Sequence, residues 1–382
     1  MKENKNHIDI FIFVGVIALL VFGLAAVYSA SSTFSLAKQD DFSYFFRSHT
    51  IRVLIAFVAL MVGMNINYQL YKKITKKVIM ISVVLLVITL IYGTVIKGAN
   101  RWIFGFQPSE FGKFALIFHL AFLLEQKKDI LNNFNNGLLP LLVWIGLTVV
   151  MVMLQPSFST GTMICLIAFV MLFVGNVRMK HLLLVVSSVI PLLVIYAVSA
   201  QYRLNRILSY FGQSDSSEAV NYQLSQAIIG FGNGGLFGVG PGHSIQRDFF
   251  LPESYGDFIF AIIGEEYGFI GATIILAIFI LILIRGIKIA KHAPDTFGRN
   301  LAIGITSAIT LYALVNTGVA SGVFPTTGLP LPFLSYGGTS MLFSAFAIGV
   351  LLNISKHTDI IPREQKFSEI EDNEPIVGQI YK

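Results

Sequence analysis

A single cysteine, Cys165, in a chain of 382 residues excludes an internal disulfide and any thiolate zinc site. Charge is also scarce. Asp, Glu, Lys and Arg together make up 13% of the residues, about half of what a soluble domain carries. Strand-length segments of alternating polarity are missing, which excludes a membrane barrel. What the chain has in their place is apolar sequence, 55% of its residues, in stretches separated by short polar ones. A helix needs about 20 apolar residues to cross a hydrocarbon core roughly 30 Å thick, with every backbone group bonded internally. The fold class expected is therefore an all-α polytopic membrane protein.

Ten transmembrane helices are expected, at approximately 8–29, 49–67, 77–96, 108–125, 137–154, 160–176, 181–200, 257–285, 299–320 and 334–354. Lys and Arg accumulate in cytoplasmic segments. With both termini cytoplasmic, every inner segment carries some, from Lys72, Lys73, Lys76 and Lys77 to Arg285, Lys288, Lys291 and Arg299. The net charge of +6 follows from that bias and is no nucleic-acid footprint, because no single basic face collects it. The first apolar run is long for a signal peptide, and Tyr28 would occupy a small-residue cleavage position, so it reads as an uncleaved span. A transmembrane domain over 1–354 is expected to include a large extracytoplasmic loop, about 201–256, between helices 7 and 8. Residues 355–382 are expected to form a flexible cytoplasmic tail.

Polar residues in such a chain are expensive and hence functional candidates. Asp257 stands first among them, at the mouth of the long apolar helix that follows LPESYG. In QPSEFGK, Pro108 suits a first helical turn, and Glu110 and Lys113 share one face at a spacing of three and can pair. That pair is read either as a structural salt bridge or as part of a site. Arg101 lies just before it in GANRW. A second QPS, Gln155 to Ser157, has helix capping as its plain reading. In the large loop, residues 221–232 are apolar enough to re-enter the membrane or lie on it. Gly230, Gly232 and Gly235 match GxGxxG, but without a preceding strand or βαβ unit this is no dinucleotide site. The segment from Pro325 to Ser340, with three prolines, two adjacent glycines and an exposed-looking Tyr336, reads as a rigid re-entrant turn. All these clusters fall on the outer side, which predicts an outward-facing cavity with a carboxylate, cations and helix N-termini that favour anions.

The segments GANRW with QPSEFGK, FGNGGLFGVGPGHSIQRDFFLPE, GDFIFAIIGEEYGFIG and PTTGLPLPFLSYGGTS resemble, in order, the signature segments of the SEDS (shape, elongation, division and sporulation) family. The likeness spans the whole membrane region, and the compact spacing before LPE is most like its division and sporulation members. It implies a peptidoglycan glycosyltransferase that polymerises lipid II at the outer face of the bacterial cytoplasmic membrane. It also implies a class B penicillin-binding transpeptidase and other divisome proteins as partners, with no nucleic acid. The family's essential acid falls on Asp257, expected as general base. Lys113, Arg101, Arg203 and Arg206, in that order, are expected near the leaving pyrophosphate, with Glu253 and Tyr336 also in the substrate site. No fixed cofactor is implied. A divalent cation, Mg²⁺ or Mn²⁺, is the open alternative, with Asp257, Glu253 or Glu110 supplying oxygen.

Asp248 is a weaker rival for the base because of its place in the loop. Glu265 and Glu266 lie about 12–14 Å deeper along the helix and are not expected to reach the same atom. Gly264, Gly268 and Gly271 fall within about 40° of the Asp257 face, suggesting close helix packing. One departure stands out: Ser157 occupies a position where the family usually has an acid, and Glu110 is expected to partner Lys113 in its place. Two rival functions share the ligand or the setting. A lipid II flippase predicts polar groups threading between leaflets, and a divisome scaffold needs neither Asp257 nor Lys113. An elongation role is the alternative within the polymerase reading.

Overall fold

The computed structural model describes residues 7–96, 99–210 and 218–358; the tail expected at 355–382 lies almost wholly outside them. Long apolar runs become α1 (Ile10–Gln39), α2 (Tyr44–Asn65), α3 (Tyr68–Tyr92), α4 (Pro108–Gln126), α5 (Leu139–Leu154), α6 (Phe158–Val174) and α7 (Met179–Val198). Two further helices, α8 (Gln201–Tyr210) and α9 (Glu218–Gly234), precede α10 (Ile259–Lys291), α11 (Thr296–Ala320) and α12 (Thr339–Ser355). A small antiparallel hairpin, β1 (Thr94–Ile96) with β2 (Ala99–Trp102), holds Arg101. Each expected span falls on one of these helices, with α1 continuing ten residues past its expected end. Among the described residues seven spans reach the length and apolarity needed to cross a membrane, while α6 and α12 are shorter apolar helices of 17 residues.

The helices start where sequence chemistry lets them. Asp9 caps α1 by accepting from the Ile12 N–H at 3.2 Å, Asp295 caps α11 from the Gly298 N–H at 2.8 Å, and Pro108 opens α4. A missing N–H costs nothing in a first turn. Of those seven, α11 is the most enclosed, and it touches α4, α6, α10 and α12. Close approach of α2 to α12 rests on Gly63 and Gly349, each set against the other helix's backbone, the small-residue contact typical of membrane helices.

One end of the bundle is closed by polar side chains. There Arg285 pairs with Asp9 at 2.6 Å, the Asp9 N–H donates to Ser355 Oγ, Asn353 bridges the Tyr68 N–H and the Met64 carbonyl, and Tyr68 and Gln69 donate to Asp295. The other end gathers the starts of α2, α4, α6, α10 and α12.

Two expectations need correction. The 201–256 segment is not simply a polar and glycine-rich loop, since α8 and α9 occupy much of it, and α9 lies along α10. Nor is α10 one continuous helix: Gly268, at φ 66° and ψ −167°, interrupts it. This frees the Glu265 and Glu266 carbonyls to accept from the Val239 and Gly240 N–H groups, both at 3.0 Å. The Gly264 and Gly268 contacts are accordingly with Phe231 of α9 and with the backbone of Leu236 and Gly238, not with a neighbouring span.

Gly268 occupies a backbone region that other residues essentially do not visit, and an added Cβ would overlap the Gly238 nitrogen. Gly268→Ala is expected to destabilise the purified protein by about 1–3 kcal/mol, read as a lower midpoint in thermal unfolding. Gly232→Ala, where a Cβ meets nothing within 4 Å, is expected to leave that midpoint unchanged or raise it.

Candidate functional site

Asp257 lies two residues before α10, half-buried, at the end of a tight turn. That turn is built by Glu253, whose φ of 59° is uncommon for a residue with a Cβ and whose carbonyl accepts from the Gly256 N–H at 2.9 Å and the Phe258 N–H at 3.3 Å. Asn316, a buried residue of α11, donates from Nδ2 to both the Asp257 and the Leu329 carbonyls at 2.7 Å. The Asp257 carboxylate faces Gly328, where a Cβ would come within 3.2 Å of Oδ2. Gly328 has a φ of +71°, so the position favours glycine twice over, by conformation and by space.

The 321–338 segment is joined to this turn by a second set of bonds. Ser335 Oγ donates to the Gly256 carbonyl at 2.7 Å and accepts from the Leu331 N–H at 2.8 Å, and the Tyr336 N–H donates to the Tyr255 carbonyl at 2.9 Å. Ser159 of α6 reaches the Thr327 carbonyl at 3.0 Å. Tyr336, expected to be exposed, is half-buried. Its ring lies edge-on to Phe45 and Tyr255, its hydroxyl meets Ser48 Oγ at 3.2 Å, and the Arg52 guanidinium sits 4.2 Å over its ring. Burial, with the Glu253 carboxylate and Tyr336 nearby, pushes the Tyr255 hydroxyl up to about 12, so it stays a neutral donor.

Asp257, Glu253 and Tyr336 are thus brought to one place, while the expected cations are arranged differently. Lys113 is sealed in the bundle: its Nζ bonds Glu110 Oε2 at 2.8 Å, both side chains are 3% exposed, and it lies 3.8 Å over the Tyr312 ring. Glu110 therefore does partner Lys113 in the absence of an acid at Ser157, but a lysine so enclosed does not line an open cavity, and its first place among the pyrophosphate ligands is withdrawn. Arg101 donates to the Gln155 and Pro156 carbonyls, holding the α5–α6 connection from which Ser159 reaches the site. Ser157 stands at the α6 N-cap without a capping bond from its side chain. On α8, Arg203 stacks 4.0 Å over Tyr196 and bonds the Tyr196 carbonyl and Ser199. Arg206 is half-buried on the same helix, which the Tyr210 hydroxyl ties to the Val323 carbonyl at 2.8 Å.

Asp248 bonds Thr33 at 2.6 Å in a largely exposed position. Glu265 and Glu266 are fully buried and anchor the glycine-rich segment. Glu265 accepts from Ser244, the Gln246 N–H and Asn233, and Glu266 accepts from Ser29. Among the described residues no three His, Cys, Asp or Glu side chains converge as metal ligands. Glu110 is committed to Lys113 and does not join Asp257 and Glu253. The site residues that sequence reasoning passed over are Asn316, Gly328, His49 and Arg52. Arg52, a charge inside an apolar span, was the one detectable by the rule applied to Asp257.

These features define a polytopic helical membrane protein whose two irregular segments meet around a half-buried carboxylate at one end of the bundle. The chain belongs to the FtsW/RodA/SpoVE family, whose model, described as "Cell cycle protein", matches residues 10–360. It is 39% identical over 360 residues to a probable peptidoglycan glycosyltransferase FtsW of Trichlorobacter lovleyi, covering 93% of this chain and 94% of that protein. It is likewise 39% identical to stage V sporulation protein E of Bacillus subtilis, covering 94% of this chain and 100% of the relative. The fold is shared with a solved peptidoglycan synthase complex ("Structural coordination of polymerization and crosslinking by a peptidoglycan synthase complex"), at TM-score 0.76 and 24% identity over 91% of this chain and 98% of the other. It is also shared with the rod shape determining protein RodA of Thermus thermophilus, at TM-score 0.66 and 23% identity over 92% and 97%.

Glu110→Gln removes the partner of a buried ammonium, a loss of about 3–5 kcal/mol. A pronounced fall in the thermal midpoint is expected, with partial recovery in Glu110→Gln/Lys113→Met. An unchanged midpoint in the single variant would show that the pair contributes nothing to stability.

Proposed function

We propose that this protein is a peptidoglycan glycosyltransferase that polymerises lipid II during cell division, with Asp257 as general base. The observation that carries the reading is the setting of Asp257: a carboxylate held half-buried at the head of α10, its backbone clamped by Asn316 and its oxygen facing a glycine. That arrangement leaves room beside the carboxylate where a side chain would otherwise stand. The relatives named FtsW support both the reaction and the division role over the elongation role.

In the reaction, the acceptor GlcNAc 4-hydroxyl attacks the anomeric carbon of the donor. The new C–O bond forms as the bond to undecaprenyl diphosphate breaks. The diphosphate leaves with the electron pair, the hydroxyl proton passes to the Asp257 carboxylate, and the anomeric centre inverts. General-base help of this kind is worth about 10²- to 10⁴-fold.

The end of the bundle that holds Lys72, Arg285, Arg299 and Lys356 is assigned to the cytoplasm by the bias of basic residues, which turns Asp257 outward in the bacterial cytoplasmic membrane, at the division septum. A class B penicillin-binding transpeptidase is the partner in this reading, supported by a structural relative described as coordinating polymerization with crosslinking. Other divisome proteins complete the setting.

The flippase alternative draws on one observation: His119 of α4 and Asn300 and Thr306 of α11 are polar, buried and without hydrogen-bond partners on their side chains. Polar groups are therefore not confined to the outer end, contrary to expectation. Yet Leu301, Ile305 and Ile309 beside them are at 0–1% exposure. The helices are closed there, so no water-lined path follows from these groups.

Purified protein given lipid II, with and without a cognate transpeptidase, is expected to form glycan polymer. Asp257→Asn is expected to lose about 10²-fold or more of that rate at an unchanged thermal midpoint. Equal polymer from both proteins would remove Asp257 from the chemistry, and no polymer from the wild type under any condition would favour transport.

A further inference from the structure

The second half of α9 and the glycine-rich chain after it run alongside the first part of α10. A Cβ on Gly230 would stand beside the Ala261 carbonyl, one on Gly234 beside the Gly264 carbonyl, and one on Gly238 beside the Glu266 carbonyl. The two segments therefore descend together from the head of α10. Their depth is given by two helices that share one inner reference, the Asp9–Arg285 ion pair. From Arg285 up α10 to Gly268 is roughly 26 Å, and from Asp9 up α1 to Ser29 roughly 30 Å, at 1.5 Å per residue. Ser29 bonds Glu266, so both measures reach the same level. The hydrocarbon core is itself about 30 Å thick. The turn at Leu236 and Phe237, whose backbone packs on Gly268, thus lies just inside the outer edge of that core.

Irregular backbone at that level needs internal partners, and the break at Gly268 supplies them reciprocally. The Glu265 and Glu266 carbonyls accept from the Val239 and Gly240 N–H groups, both at 3.0 Å. The Phe269 and Ile270 N–H groups, which an unbroken helix would have bonded to those same two carbonyls, donate instead to the Gly235 and Leu236 carbonyls at 2.9 and 3.2 Å. The Gly238 N–H closes the turn onto the Gly234 carbonyl at 2.7 Å. Residues 227–240 carry no charge, and Asn233, their polar side chain, donates to Glu265 at 3.1 Å. Yet Leu236 is 63% and Phe237 80% exposed, next to the exposed Phe269 and Ile270 of α10. Bonds turned inward and large apolar side chains turned outward are what a hydrocarbon solvent demands. We propose that residues 227–240 form a re-entrant hairpin in the outer leaflet, with Leu236 and Phe237 inserted among lipid acyl chains. This goes beyond the glycosyltransferase reading and does not depend on it. Through Ser244 and the Gln246 N–H, both bonded to Glu265, the hairpin holds at a set depth the chain that leads on to Asp257.

The test is a depth measurement by spin labelling of the full-length protein in phosphatidylcholine nanodiscs that hold one copy each. Leu236→Cys and Phe237→Cys, each combined with Cys165→Ala, carry a nitroxide. Ile274→Cys, on an exposed apolar position of α10, is the lipid reference, and Gln39→Cys, at the exposed outer end of α1, is the aqueous one. Collision rates with oxygen, which concentrates in hydrocarbon, are compared with those of a water-soluble nickel chelate. Both labels are expected to match Ile274→Cys, with high oxygen and low nickel rates. Nickel rates equal to those at Gln39→Cys would overturn the proposal and place the turn in water. Low rates for both reagents would also overturn it, by showing the pair enclosed by protein. Either label decides the matter should the other variant fail to fold. Phe237→Asp, which sets a charge in the core, is expected to lower the thermal midpoint in the same nanodiscs, with Phe237→Leu close to wild type. A charged variant as stable as wild type would count against insertion. Neither measurement reads polymer, so failure of the glycosyltransferase reading would leave both results standing.

Discussion

Irregular backbone near a membrane must find its hydrogen bonds inside the protein, and here two irregular segments find them in each other. The turn before α10 gives its Tyr255, Gly256 and Asp257 carbonyls to the Tyr336 N–H, the Ser335 hydroxyl and the Asn316 amide. Asn316 in the same gesture takes up the Leu329 carbonyl. Remove any of these donors and a buried carbonyl is left unmatched, a loss of about 1–3 kcal/mol each. The position of Asp257 is therefore set by the 321–338 segment as much as by the helix it precedes, and α11, which carries Asn316, is the element that relates them.

A second dependency runs through the break at Gly268. By ending the regular hydrogen-bond ladder early, it exposes the Glu265 and Glu266 carbonyls to the chain at Val239 and Gly240. The same two residues' carboxylates then bind Ser244, the Gln246 N–H and Ser29. A buried carboxylate is stable only when its oxygens are matched, so the glycine-rich segment and α10 order each other. Glu265 and Glu266 stand too far along α10 to serve the same atom as Asp257, and the structure gives them this other task of holding the chain that leads to it.

The placement of the apolar helices was legible because apolar length is a strong signal, and the carboxylate at the head of α10 was legible because charge is so rare in this chain. The rest was hidden for particular reasons. Apolar residues continue on both sides of Gly268, so periodicity carries no trace of the break. The spacing of Glu110 and Lys113 announces a pair but not that Tyr312, two hundred positions away in sequence terms and adjacent in space, closes over it. The 201–256 segment read as a loop because α8 is polar and α9 runs into closely spaced glycines, and their helicity is supported by tertiary packing on α7, α10 and α11.

The contrast between Lys113 and Arg52 carries the electrostatic argument further. Both are cations in the upper part of the bundle, and both lie over tyrosine rings, at 3.8 Å and 4.2 Å. Lys113 has its counter-ion built in, and 3% exposure of each partner leaves no route for a ligand to displace Glu110 without stranding a buried charge. It serves as a structural pair, of a kind whose removal costs more than its presence contributes. Arg52 has a ring beneath it, a helix N-terminus beside it and no carboxylate bonded to it among the described residues.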